Sequence, residues 1–153
     1  MSDRAPDADA DLGHAAARLR VLGAAPQALS QLERASPAAL AYLGDAVYET
    51  HVRARHLLPP KRLETYHQHV VAEVRAEHQA RQLDWLEPHL TEAERTLVQR
   101  GRNASSGRPR RLSRRVYQRA TGLEALMGYL FLQDPQRLSQ LLALLERDRG
   151  ESQ

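Results

Sequence analysis

The sequence predicts an all-α domain, and three observations support that fold class. Apolar residues recur at helical spacing over several long stretches, of which SPAALAYLGDAVYETHVR at 36–53 is the clearest. Helix-start residues precede most of these stretches, and no run alternates as a strand does. The 153 residues include no cysteine, so the core must form without disulfides or thiolate metal sites. We expect one helical domain at 29–148, a disordered or weakly helical extension at 1–28 and a tail at 149–153.

The first long helix is predicted from Pro37 to about His56. Ser36 supplies an N-cap hydroxyl, and proline at the first helical position loses nothing by lacking its N–H. Gly44 lies in the helix interior, where glycine costs about 1 kcal/mol relative to alanine. We therefore expect another backbone, from a second helix or a second subunit, to pass close to Gly44.

Further helices follow the same signals. Pro59 and Pro60 break the pattern, and Thr91 with Glu94 forms the capping box of a later helix. A final amphipathic helix starts after Asp134 and Pro135. The helices between these signals are predicted at 61–83, 92–100 and 116–133.

The charge of the chain is unevenly distributed. The net charge is +3, but the segment from Arg100 to Arg119 contains eight arginines and no acid. The rest of the chain therefore carries −5. Glycines, serines and a proline in the middle of this segment predict a flexible loop. Such a loop suits phosphate contacts, because guanidinium groups pair with phosphate oxygens; the alternative is a merely solvated basic loop.

Two acids stand out because each lies in an apolar helical pattern near glycine. Asp45 follows Gly44 directly, and Glu124 lies between Gly122 and Gly128. If their helices pack through these glycines, the carboxylates converge and repel each other unless a cation lies between them. Mg²⁺ is the natural candidate, and beside a phosphate-binding loop it indicates phosphodiester hydrolysis. In the alternative interpretation each acid is a surface or salt-bridged residue, with Asp45 or Glu49 paired to Arg53.

No apolar run approaches the roughly 20 residues that a membrane span needs. The N-terminus is rich in alanine and aspartate and lacks the basic start and apolar middle of a signal peptide. We therefore expect a soluble, cytoplasmic protein.

Three motifs together resemble one family. SPAALAYLGDAVYETHVR, RGRNA at 100–104 and ATGLEALMGYLFL at 120–132 are similar in kind and order to Mini-ribonuclease III, the short branch of the ribonuclease III family. The resemblance spans roughly Leu29 to Leu145. It implies an all-helical homodimer that cleaves double-stranded RNA with Mg²⁺ and leaves 5′-phosphate and 3′-hydroxyl ends. It also implies the 23S ribosomal RNA precursor as substrate, a ribosomal protein as a partner that presents the RNA, and no separate double-stranded RNA-binding domain.

The resemblance assigns roles to particular residues. Asp45 and Glu124 match the family's catalytic and metal-binding acids, whereas Ala41 and Thr121 stand where longer ribonucleases III carry two more acids. We expect a metal with fewer protein ligands and more water. The alternative is a non-catalytic double-stranded RNA-binding or ribosome-assembly module on the same fold. The candidates for RNA contact are Arg100, Arg102, Asn103, Arg108, Arg110 and Arg111.

Overall fold

The structure is a computed structural model that describes residues 22–23, 31–105, 107 and 111–151. Apart from a turn at 22–23, the extension predicted at 1–28 lies outside the described residues. Within them the chain forms α-helices and short 3₁₀ turns but no strand, which confirms the all-α prediction. The six α-helices are α1 (Pro37–His56), α2 (Leu63–Val74), α3 (Ala76–Leu86), α4 (Glu92–Ala104), α5 (Arg114–Gln133) and α6 (Pro135–Glu151).

The helix starts follow the local sequence closely. The Ser36 hydroxyl accepts the Ala39 N–H at 3.1 Å at the start of α1. At α4 both bonds of the capping box form, between Thr91 and Glu94, at 3.1 and 3.2 Å. These bonds satisfy amide groups that have no partner inside the helix, which is why the predictions at these starts are confirmed.

The prediction of a single helix at 61–83 is wrong. The chain forms two helices, α2 and α3, because Arg75 adopts an extended conformation between them, with φ −65° and ψ 146°. In a continuous helix of 3.6 residues per turn, Gln79 and Leu86 would lie nearly opposite Val70. All three side chains are buried, so the break at Arg75 resets the helical phase and turns both segments toward the core.

The loop in the arginine-rich segment is shorter than predicted. Helix α4 continues to Ala104, so Arg100, Arg102 and Asn103 are helical. Helix α5 then begins at Arg114, after an N-cap at Ser113. The last helix reaches Glu151 and so includes residues 149–151 of the predicted tail.

Helices α1 and α5 form the most extensive contact in the fold. A Cβ on Gly44 would come 1.7 Å from the Glu124 carbonyl oxygen, and one on Gly128 would come 2.0 Å from the Leu40 carbonyl oxygen. The two backbones therefore touch, as Gly44 indicated, and they do so within one chain. The main core packs around this contact and includes Tyr48, Val52, Leu83, Leu86, Leu123, Leu126, Met127 and Leu141.

In the part of the chain that the structure describes, no helix combines the length and apolar character needed to cross a membrane.

Candidate active site

Asp45 and Glu124 line one pocket of about 280 Å³, although they are far apart in the sequence. Helix α1 supplies Asp45 and α5 supplies Glu124. The glycine contact explains the meeting, because Gly44 precedes Asp45 and packs on the backbone of Glu124 itself. The other lining residues are mostly small: Ala38, Ala41, Tyr42, Ala76, Ala104, Ser105, Leu112, Tyr117, Ala120 and Thr121.

The two acids differ in environment. Asp45 is exposed at the pocket, whereas Glu124 is half-buried, so the expectation of two acids in apolar surroundings holds only for Glu124. Burial, and second the charge of Asp45, raise the pKa of Glu124 to about 8, while the nearby Gln79 side chain acts in the opposite direction. Partial burial, and then Glu49, raise the pKa of Asp45.

The repulsion between the two acids raises the pKa of Glu124 and not that of Asp45. The more exposed acid loses its proton first, while its neighbour is still neutral. Glu124 must then ionise beside a negative charge and inside the protein. A cation placed between the carboxylates would remove this penalty.

The positions of the two missing acids also face the pocket. Ala41 and Thr121 both line it, and the Thr121 hydroxyl donates to the Tyr117 carbonyl oxygen of its own helix at 2.9 Å. Among the described residues there is no cluster of three or more His, Cys, Asp or Glu side chains suited to a metal. Mg²⁺ commonly takes one or two carboxylates and completes its octahedron with water and phosphate oxygens. Asp45 and Glu124 fit that coordination.

The salt-bridge interpretation of Asp45 is not what the structure shows. The Arg53 guanidinium pairs with Glu49, with Nη2 and Oε1 2.5 Å apart, one helical turn from each other. In the described part of the chain no ion pair includes Asp45. Glu64 is exposed on α2 and does not line the pocket.

The six candidate RNA-binding residues lie in different places. Arg111 and Asn103 are exposed, and the Asn103 amide oxygen accepts from Gln99 at 2.9 Å. Arg102 is half-buried and packs its stem against α5 at Gly122, with its Nε buried and unpaired among the described residues. Arg100 lines a different groove from that of the acids. Arg108 and Arg110 lie outside the described residues.

The connection that carries these arginines begins and ends at the acid pocket. Ser105 follows α4, Leu112 precedes α5, and both line the pocket together with Asp45 and Glu124. Both ends of the arginine-rich connection therefore lie beside the paired acids.

Arg119, the last of the eight arginines, belongs to the interior. It is 7% exposed, and its Nη2 pairs with Asp84 of α3 and, at 2.9 Å, with Glu87. One of the eight arginines therefore does have acidic partners, and its ion pairs join α5 to the end of α3.

A larger groove of about 420 Å³ lies between the 3₁₀ turn at 31–34 and helices α1, α4 and α5. Leucines and Tyr129 dominate its wall, and the Arg137 guanidinium pairs with its Glu94 carboxylate at 2.8 Å. It contains no pair of acids free to act together, so the smaller pocket is the candidate active site.

This all-helical domain, in which Asp45 and Glu124 meet where α1 and α5 pack together, matches a known domain family. The sequence profile of that domain family, described as Ribonuclease III domain, matches residues 38–135. In fold, a crystal structure of a protein from Fusobacterium nucleatum superimposes with a TM-score of 0.70. That alignment covers 80% of this chain and 98% of the other, at 24% sequence identity.

Relatives with higher sequence identity show which branch of this family the chain belongs to. Mini-ribonuclease 3 of a Synechococcus species is 58% identical over 120 residues, which are 78% of this chain and 85% of that protein. Mini-ribonuclease 3 of Gloeobacter violaceus is 53% identical over 116 residues, 76% of this chain and 86% of that protein. The chain belongs to the Mini-ribonuclease 3 family and is an endoribonuclease of the ribonuclease III type.

Proposed function

We propose that this enzyme is a Mg²⁺-dependent endoribonuclease that cuts double-stranded RNA and matures the ends of the 23S ribosomal RNA precursor in the cytoplasm. The observation that carries the proposal is the meeting of Asp45 and Glu124 in one pocket bordered by both ends of the arginine-rich connection. Paired carboxylates beside a polycationic segment suit a reaction on a phosphodiester backbone.

Asp45 and Glu124 are the residues that would hold the metal. When bound, Mg²⁺ supplies charge neutralisation at the phosphate and a more acidic water. In the reaction, a water oxygen forms a bond to phosphorus and the bond from phosphorus to O3′ breaks. The products are a 5′-phosphate and a 3′-hydroxyl.

The protein's own contribution is to place the acids. The backbone contact at Gly44 holds α1 against α5, so the two carboxylates meet without depending on a loop. The small side chains around them, which include Ala38, Ala41 and Ala120, leave room for a phosphate backbone to approach. Ala41 and Thr121 replace acids of longer ribonucleases III, so more water completes the metal site.

The proposed RNA contacts are Arg100, Arg102, Asn103, Arg108, Arg110 and Arg111. An A-form duplex hides its base edges in a deep major groove, so these residues would recognise phosphates, 2′-hydroxyls and helix shape. The proximity of Ser105 and Leu112 to the acids supports this role for the connection between them. The position of Arg100 on the neighbouring groove implies a footprint wider than the pocket.

The proposal includes a homodimer, in which each of two sites cuts one strand. Tyr42 lines the acid pocket and is 86% exposed, and large exposed aromatic side chains are enriched at protein interfaces. A ribosomal protein that presents the precursor is a further proposed partner. Light scattering of the purified protein measures the oligomeric state, and Tyr42→Lys should weaken the dimer.

The test of the function is cleavage of a base-paired 23S precursor with and without Mg²⁺. Wild type should cut and leave 5′-phosphate ends, whereas Asp45→Asn and Glu124→Gln should bind the duplex without cutting it. A protein that binds but never cuts, with Mg²⁺ or Mn²⁺, would favour the non-catalytic ribosome-assembly module. The observation behind that alternative is that Ala41 and Thr121 leave the pocket with two acids.

A further inference from the structure

A buried amide lies beside the acid pocket and had no place in the sequence-based prediction. Gln79 is 1% exposed, and its Nε2 has no hydrogen-bond partner of ordinary geometry in the described structure. Burying an amide without a hydrogen bond is costly, so an unpaired amide in an apolar core needs a reason. The neighbouring side chain of Glu124 suggests a reason for this unpaired amide.

The Gln79 side chain lies next to Glu124. The contact between the Gln79 amide and the Glu124 carboxyl does not reach standard hydrogen-bond geometry, so the buried Nε2 is left without a partner among the described residues. Ala76, one helical turn before Gln79 on α3, lines the pocket that contains both acids. The first turn of α3 therefore borders the candidate site.

The orientation of Gln79 depends on the helix break at Arg75. The Gln79 N–H donates to the Arg75 carbonyl oxygen at 3.0 Å, so Gln79 lies in the first complete turn of the new helix. Without the break its side chain would lie opposite Val70 and away from the core. The break thus turns the Gln79 amide inward, beside Glu124.

We propose that Gln79 is a positioning residue, which donates its Nε2–H to one oxygen of the Glu124 carboxylate and leaves the other oxygen for the divalent metal. This inference rests on the proposed metal-dependent function. A carboxylate with one oxygen anchored keeps a single orientation, and such outer partners of metal ligands commonly change metal affinity 10- to 100-fold. The unpaired amide is then the partner that an ionised, metal-bound Glu124 requires.

The chain offers a matched control. Gln82 lies on the same helix and is 3% exposed, but its side-chain nitrogen lies 3.2 Å from His78 Nε2. Gln79→Met and Gln82→Met therefore remove the same group from similarly buried positions. Gln79→Asn retains an amide and tests rescue by a conservative change.

The experiment measures Mn²⁺ binding to the RNA-free protein by calorimetry, with Asp45→Asn to show that binding occurs at the acid pair. Gln79→Met should weaken Mn²⁺ binding about tenfold or more, Gln79→Asn should be intermediate, and Gln82→Met should stay within about twofold of wild type. Equal Mn²⁺ affinity for wild type and Gln79→Met, or equal losses for both methionine variants, would overturn the proposal.

A second measurement needs no variant. In ¹⁵N-labelled wild type, the Gln79 side-chain amide signals should shift on addition of Mg²⁺ while those of Gln82 stay in place. Stationary Gln79 signals in a protein that binds Mg²⁺ and cleaves RNA would reject this role and leave the proposed function intact. A wild type that neither binds Mn²⁺ nor cleaves RNA would reject both.

Discussion

The backbone of Gly44 rests directly on that of Glu124, so that a Cβ at position 44 would come 1.7 Å from the Glu124 carbonyl oxygen and 2.5 Å from its carbonyl carbon. Both atoms belong to the main chain of α5, so no side-chain rotation could relieve the overlap. The contact that joins the two central helices is therefore also the contact that aligns the two acids.

Gly44→Ala should destabilise the protein by about 3 kcal/mol or more, because the helices must separate to admit a methyl group. Urea denaturation measures the loss. Gly150→Ala is the matched control, since a Cβ there meets nothing within 4 Å and alanine is the better helix former. The control should be as stable as wild type or slightly more stable, and similar stability for both variants would contradict the close contact.

Glu124→Gln should stabilise the metal-free protein at alkaline pH. The pKa of Glu124 is about 8 in the folded protein and near 4.5 in the unfolded chain, so folding holds a proton that the unfolded chain releases. Wild type therefore loses stability as pH rises from about 4.5 to 8, and the glutamine variant does not. The expected difference is on the order of 2–4 kcal/mol at pH 8.5 and close to zero at pH 4.

Urea denaturation in EDTA across this pH range measures that difference. Glu64→Gln, at an exposed position on α2, is the control and should follow the wild-type curve. A stability difference between wild type and Glu124→Gln that does not change with pH would show that Glu124 is already ionised at low pH.

Arg119→Met should lower stability by about 1–2 kcal/mol without changing the salt dependence of RNA binding. The variant removes the ion pairs to Asp84 and Glu87, but those two carboxylates are about half-exposed, so water solvates them once they are unpaired. Thermal unfolding measures the effect. Arg115→Met, exposed on the same helix, should stay within about 0.5 kcal/mol of wild type.

Replacing Arg108, Arg110 and Arg111 together with alanine should weaken binding to duplex RNA and flatten its salt dependence. Each phosphate contact that is lost reduces the slope of log affinity against log salt by up to about 0.9, so the slope should fall by roughly 2–3. Fluorescence anisotropy at several salt concentrations measures this slope. The Asp45→Asn background prevents cleavage during the measurement.

The control for this salt measurement is the double variant Arg95→Ala and Arg147→Ala, which removes exposed arginines from α4 and α6 away from the acid pocket. Its slope should match that of the parent protein. An unchanged slope in the triple variant would remove these arginines from the RNA contact.

The sequence predicted the features that depend on neighbouring residues. Ser36 before Pro37, and Thr91 three residues before Glu94, marked helix starts that the structure confirms. Gly44 indicated a close backbone, and the glycines near Asp45 and Glu124 predicted that these acids converge if their helices pack through them. The family and the all-α fold class followed from motifs of this kind.

Other features were hidden because no local signal encodes them. Arg75 is neither proline nor glycine, yet it ends one helix and begins the next, since buried residues on each side must face the same core. Gln79 looks like a surface residue until that break turns it inward. Arg119 looks like its exposed neighbours until Asp84 and Glu87 come beside it from α3 and the turn after it.

The sequence by itself thus determined where most helices begin and which two acids are candidates for chemistry, because capping and periodicity act over a few residues. Only the tertiary structure decided that Asp45 is exposed while Glu124 is half-buried, that the glycine contact lies within one chain, and which arginine is internal. Those outcomes depend on how distant helices cross and on what each side chain then meets, which no short stretch of sequence specifies.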